Sequence, residues 1–211
     1  SKWKNSFSYA EPKSRGIANT SKLSAFRLRS REKALHSAPM SLPHKISTLL
    51  YCFNEHNEVL LIERAQEPNL GCWSPPGGKL KTDIGESPFA CACREAQEEM
   101  GFESQPEDWH LTGMVSERGY QEQAHWLMFL FEYQFPLPQV PPQNREGRFE
   151  FVARADISKR TLPPNDDEFI WPAFWKHRGG FFSAHCRCHS DRQNDWIIEA
   201  SQPNLIEYPG T

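Results

Sequence analysis

Glu95, Glu98 and Glu99 stand within the stretch Ser87 to Met100, in which the apolar residues Phe89, Cys93, Ala96 and Met100 recur at intervals of four, three and four. That spacing predicts a helix with one apolar stripe, and it gathers the three glutamates on another face. Carboxylates crowded in this way repel one another by about 0.2–0.5 kcal/mol per neighbouring pair when exposed, and by more as water is excluded. Arg94, one turn before Glu98, offsets part of that repulsion. A hard divalent cation offsets the rest. Mg²⁺ suits the set because it binds through a few carboxylates and completes its shell with water and phosphate oxygens, and Mn²⁺ can stand in for it. Glu86 reaches the same region from the preceding loop. Spacing alone also leaves open a plain solvated acidic face.

The elements that must position these groups follow from pattern and punctuation. Ser87 can cap the helix and Pro88 fits its first turn, where a missing amide hydrogen costs nothing. Ile46 to Phe53 and Val59 to Ile62 are apolar runs joined by Glu55-His56-Asn57-Glu58, which predicts a hairpin. Leu111 to Val115, Trp126 to Phe135 and Phe149 to Ala153 add three strands, prolines 136, 138, 141 and 142 mark a loop, and Asp166 to Lys176 predicts a late helix bent or started by Pro172. The expected architecture is α+β, an α/β/α sandwich with a mixed sheet between helices, over residues 45–186. A basic arm, residues 1–44, with a short helix near Ser24 to Leu35, would precede it, and residues 187–211 would form a tail.

Within Gly77 to Phe102 the text GGKLKTDIGESPFACACREAQEEMGF resembles the signature of the Nudix hydrolases, with Glu86, Arg94, Glu95, Glu98, Glu99 and Gly101 in register and Ala96 and Phe102 at its apolar positions. One departure is that Gly78 lies eight residues before Glu86 rather than six, which places two extra loop residues around Thr82-Asp83. The resemblance implies the Nudix fold and Mg²⁺-dependent hydrolysis of a nucleoside diphosphate linked to another moiety. Glu95, Glu98 and Glu99 would then be metal ligands, with the Gly78 carbonyl and Glu146 as further ones. Arg94 would orient the glutamates, and Glu86 would brace the loop against the helix or assist the metal. Glu98 and Glu146 are both candidates for the general base, Glu146 also reading as an ordinary loop charge.

Two further segments speak to substrate. Arg64-x-x-x-Pro68-x-x-Gly71-x-Trp73-Ser74-Pro75-Pro76-Gly77-Gly78-Lys79 looks like the entry segment of Nudix enzymes that clean the nucleotide pool, and the segment from Asp166-Asp167 to Phe182 resembles the 8-oxo-dGTP diphosphatase group. In that group adjacent aspartates bind the purine edge, so Asp166 and Asp167 are candidate base ligands, beside Lys79 as a phosphate ligand and Trp73 and Trp171 as stacking surfaces, both tryptophans reading also as buried core. A helix cap and a favourable charge at the helix N-terminus account for the same aspartates equally well. The group's stacking aromatic has no match, since Pro164 and Asn165 precede the pair. Nucleoside triphosphate hydrolysis to monophosphate and pyrophosphate therefore leads. Dinucleoside polyphosphates, nucleotide sugars and RNA 5′ ends are the other substrates, and a binding module without turnover is the other class; such modules usually lack a signature glutamate, and here all are present.

Composition agrees with this. The net charge of −3 combines about +8 in residues 1–45 with about −11 in the rest, and an acidic body is a poor nucleic-acid surface. No apolar run approaches the roughly 20 residues of a membrane-spanning helix. The expected partner is a small-molecule nucleotide and the expected compartment the cytoplasm. The six cysteines are read as reduced thiols. His185-Cys186-Arg187-Cys188-His189 carries zinc-type ligands but lacks a second ligand pair at finger spacing.

Overall fold

A computed structural model describes residues 41–67, 69–189 and 193–204, all within one compact unit, Met40–Thr211. The expected helix near Ser24 to Leu35, and nearly all of the basic arm, lie outside the described residues. A five-stranded mixed sheet carries β1 (His44–Tyr51), β4 (Trp109–Tyr120), β5 (Ala124–Tyr133), β7 (Phe181–Arg187) and β8 (Asp195–Gln202) in the order β1-β5-β4-β7-β8. The β1/β5 and β4/β7 pairs are parallel, and β4/β5 and β7/β8 antiparallel. A second, three-stranded antiparallel sheet holds β2 (Val59–Arg64) between β3 (Trp73–Ser74) and β6 (Gly147–Val152).

Side chains alternate across a strand, and that alternation builds two cores. Leu50 faces one with Leu60, Ile62 and Phe131; Tyr51 faces the other with Val59, Leu61 and Leu130. Helix α1 (Pro88–Glu95) closes the first core with Ala92, and the π-turn Ala96–Met100 that prolongs it adds Ala96 and Met100. Helix α2 (Trp171–His177), entered through a π-turn at Asp166–Ile170, closes the second core with Trp171 and Phe174. Phe174 stacks on Tyr51 at 3.8 Å between ring centroids. Helices thus cover opposite faces, the α/β/α arrangement expected.

Two expectations need correction. The two strands of the predicted hairpin share only the Phe53–Val59 bridge beside their turn, and then part into different sheets. Apolar residues on both faces allow this, because each strand then needs covering on both sides rather than a single hairpin partner. The sheet also does not end at residue 186. β8 pairs with β7 from Phe181–Gln202 to Arg187–Asp195, so most of the expected tail belongs to the domain. Its mostly exposed pattern marks an edge strand, which lacks the apolar run that would betray it in the sequence. The late helix is found where expected, opening as a π-turn and continuing as α2 with Pro172 in its first turn.

Candidate active site

Ser87 caps α1 as its composition requires, its Oγ accepting from Ala90 N at 3.1 Å with Pro88 next in line. The helix widens at Ala96–Met100 and stops at Gly101, whose φ of 77° suits a residue without Cβ. The glutamates therefore sit where the helix changes pitch, a place where π-turns recur at functional sites. The two extra residues of the loop fall in a short exposed 3₁₀ turn, Thr82–Ile84.

Arg94 organises the cluster. Its guanidinium donates to Glu86 Oε1 and Oε2 at 2.7 and 2.9 Å, to Glu95 Oε1 at 2.7 Å, to Glu98 Oε2 at 3.0 Å and to the Lys79 carbonyl at 3.1 Å. The forked planar donor set makes one arginine sufficient for three carboxylates. Glu86 also accepts from Lys81 N at 2.7 Å. The Arg94 hydrogen bonds, reinforced by that backbone donor, hold its carboxyl down at about 2. Glu86 thus ties loop to helix and is not in the wall of the cleft that the others line.

Glu95 and Glu99 differ in kind. Glu95 is buried, and burial raises its carboxyl above the usual range despite Arg94. Its carboxylate lies against Gly78: a Cβ there would meet Glu95 Oε1 at 2.1 Å. Residue 78 is glycine because the glutamate occupies the space of a side chain. Glu99 Oε2 accepts from the Gly77 amide at 3.1 Å. Burial, then the charge of Glu95, and more weakly that of Glu146, push its carboxyl up to about 7. Glu98 is half exposed, with Lys81 Nζ at 3.6 Å.

Carboxylates from Glu95, Glu98, Glu99 and Glu146 line one cleft of about 760 Å³, together with Gly78, Lys79 and Asp166. An all-oxygen donor set whose members repel one another is what a hard divalent cation fits. The Gly78 carbonyl accepts from Thr48 N at 2.9 Å and, more weakly, from Cys91 Sγ at 3.8 Å, so a cation there would replace the thiol contact. Glu146 reaches the cleft from the turn before β6, its backbone amide held by Asn144 Oδ1 at 2.8 Å.

The other candidates divide. Asp166 is buried and lines the same cleft, and burial, then the charge of Glu117, raises its carboxyl far above the normal range. Asp167 is exposed and does not line the cleft. Trp73 is buried beneath Arg148 and Arg160, whose guanidinium carbons lie 5.0 and 4.7 Å from its ring centroid; it too is outside the cleft wall. Trp171 packs edge-on against Tyr51 in the core. The aromatics that do face the cleft are Trp126 and Tyr120. Sequence reasoning had Trp126 as a strand residue only, because which face of β5 opens on the cleft is decided by its pairing with β1 and β4.

Glu117 was also missed. It lies in β4, buried, and accepts from Asn165 Nδ2 at 2.8 Å. Burial pushes its carboxyl up to about 7 against that bond. An acid at an inward position of a strand was the available signal.

Residues 43–171 match the family described as the NUDIX domain. Among solved structures, the mutator MutT protein of Bacillus halodurans is 22% identical over 74% of this chain and 97% of its own, with a TM-score of 0.58. The MutT protein of Methanosarcina mazei Go1 is 24% identical over 64% and 96%, with a TM-score of 0.54. Both share the fold. Members of the family hydrolyse pyrophosphate linkages in nucleotides with divalent metal ions, typically Mg²⁺. With this match across most of the domain and an intact set of signature glutamates, the chain belongs to the Nudix family and is a pyrophosphohydrolase.

Proposed function

We propose that this protein hydrolyses nucleoside triphosphates, with oxidised purines preferred, to a nucleoside monophosphate and pyrophosphate, using Mg²⁺. The observation that carries the proposal is that one cleft is lined both by the carboxylates of Glu95, Glu98, Glu99 and Glu146 and by the buried Asp166. The carboxylate cluster suits a metal-bridged polyphosphate, and Asp166 a polar base edge.

Glu95, Glu98, Glu99, the Gly78 carbonyl and Glu146 would hold the metal. When bound, Mg²⁺ neutralises charge that builds on the phosphates and acidifies a coordinated water. Arg94 keeps Glu95 and Glu98 in place, and Glu86 fixes Arg94 through two hydrogen bonds. Lys79, exposed on the cleft, supplies positive charge for the phosphate chain. Glu98 and Glu146 are the two carboxylates able to take the water's proton, and comparing the pH–rate profiles of Glu98→Gln and Glu146→Gln assigns the role.

Burial favours the neutral form of Asp166. A protonated carboxyl both donates and accepts, so it can give a hydrogen bond to a ring carbonyl and accept one from a ring N–H, the pattern of an oxidised guanine edge. Trp126 offers a face for stacking. The test is pyrophosphate release from normal and oxidised nucleoside triphosphates with Mg²⁺. Preference for an oxidised purine by tenfold or more in kcat/KM is expected. Faster turnover of nucleotide sugars or dinucleoside polyphosphates would overturn the proposal.

A further inference from the structure

The Cys186-x-Cys188 segment has no place in this chemistry, yet it meets a carboxylate that sequence could not have paired with it. Glu117 of β4 stands directly opposite Cys186 of β7 in the parallel register. Alternate residues of a strand share a face, so Cys188 follows on the same side. The Cys188 amide donates to the Arg118 carbonyl at 3.0 Å, which holds the chain against β4 just past the end of β7. The result is one carboxylate oxygen and two sulfurs all within 4.8 Å of one another.

We propose that Glu117, Cys186 and Cys188 form a binding site for a thiophilic divalent cation, zinc above all, separate from the oxygen site on α1. The two Sγ atoms are 3.6 Å apart. Two thiolates about 2.3 Å from one tetrahedral zinc lie about 3.8 Å from each other, so the ion fits with almost no movement of either strand. A disulfide fits less well. Alternate Cα atoms on a strand are about 6.6 Å apart, at the upper limit of a bridge whose usual span is about 5.5–6 Å. Asn165, at φ 85° and ψ −23°, aims its amide nitrogen at both Glu117 (2.8 Å) and Cys188 (3.8 Å), and so occupies the side from which a cation would approach.

Chemical softness separates the two sites. Two thiolates select zinc or cadmium over magnesium, whereas the glutamates of α1 offer oxygen alone. The neighbouring histidines are engaged elsewhere: His185 Nδ1 meets Ser116 Oγ at 2.8 Å, and His189 Nε2 meets Asp195 at 2.9 Å. Protein therefore supplies three ligands among the described residues. Glu117 also lines the cleft, which puts the site at its border, and the fourth position is left to water or to a group of the substrate. Three protein ligands with one open position are the pattern of a zinc site that remains accessible rather than purely structural. Because the ion would join β4 to the end of β7, loading it would stabilise the fold.

The test uses the full chain, reduced and free of Mg²⁺, titrated with CdCl₂ and then with ZnCl₂. We expect a cadmium–thiolate charge-transfer absorption that saturates at one equivalent and is displaced by zinc. We also expect a rise in Tm of about 5 °C or more at a hundredfold zinc excess over its dissociation constant. Cys188→Ser, at a half-buried position, should abolish the absorption while circular dichroism shows an intact fold; Cys186→Ser is the less safe variant because Cys186 is fully buried. Glu117→Gln should keep the absorption but weaken zinc binding about tenfold or more. Glu98→Gln should leave both unchanged. The proposal is overturned by absence of the absorption, by its survival in Cys188→Ser, by its loss in Glu98→Gln, or by a Cys186–Cys188 disulfide persisting under thiol reductant. Equal zinc affinity in Glu117→Gln would remove the carboxylate from the site and so overturn it as drawn.

Discussion

The two ends of the cleft are built by opposite routes. At the α1 end, Glu86, Arg94, Glu95, Glu98 and Glu99 fall within fourteen residues, and one guanidinium connects most of them. At the α2 end, Asn69, Glu117, Tyr120, Asn165, Asp166 and Cys188 come from four separate stretches of chain. They touch through Tyr120 Oη on Asn69 at 2.9 Å and Asn165 on Glu117 at 2.8 Å. The first end is a piece of local geometry that the fold carries as a unit; the second exists only once β4, β7 and the loop before α2 have docked. Chemistry common to a family can reside in the first. On the proposed function, selectivity between substrates belongs to the second, where one substitution changes the wall and leaves the proposed metal ligands alone.

The sharpest way to break this contrast is at Glu99. Glu99→Gln should lower kcat by about 10²–10³-fold with little change in Tm, because the group acts on charge at the phosphates and its removal relieves repulsion; steady-state kinetics and a thermal melt check both halves. Arg94→Met should instead act on stability. It leaves Glu86 and Glu95 without their arginine in a largely buried setting and should cost about 3 kcal/mol, read as a shift of the urea midpoint. At the other end, Asp166→Asn should raise KM for the preferred purine nucleotide about tenfold with kcat nearly kept. A comparable loss of kcat would mean that the two ends are not separable.

A pH titration sharpens the same comparison. Glu99 is raised to about 7, so below that pH its carboxyl holds a proton that a metal must displace. Apparent Mg²⁺ affinity, followed by calorimetry without nucleotide, should fall about tenfold from pH 8 to pH 6, with proton release on binding. The sign for the metal-free fold is the reverse. The unfolded carboxyl loses its proton near 4.5 and the folded one near 7, so Glu99 subtracts stability as pH rises through that window. Asp167→Asn, exposed and off the cleft, should change KM less than twofold; a larger effect would return it to the base site.

Adjacent aspartates in the sequence show how far local reading extends. Asp166 and Asp167 carry the same chemistry on paper, and the turn that enters α2 buries one and exposes the other. Trp73 and Trp126 exchange roles for a similar reason. Trp73 resides in a glycine- and proline-rich segment that suggests a binding loop, but β3 pairs it into the small sheet under Arg148 and Arg160. Trp126 sits in an apolar strand that suggests core, but one face of that strand opens on the cleft.

What the amino-acid order determined by itself was helix α1: its cap, its apolar stripe and its row of carboxylates, all set by interactions between residues a few positions apart. The split of the first two strands into separate sheets, the recruitment of β8, and the meeting of Glu117 with Cys186 and Cys188 were decided by tertiary structure. Strand partners are chosen by how whole faces are buried across the chain, and no local spacing encodes which distant strand will cover which face.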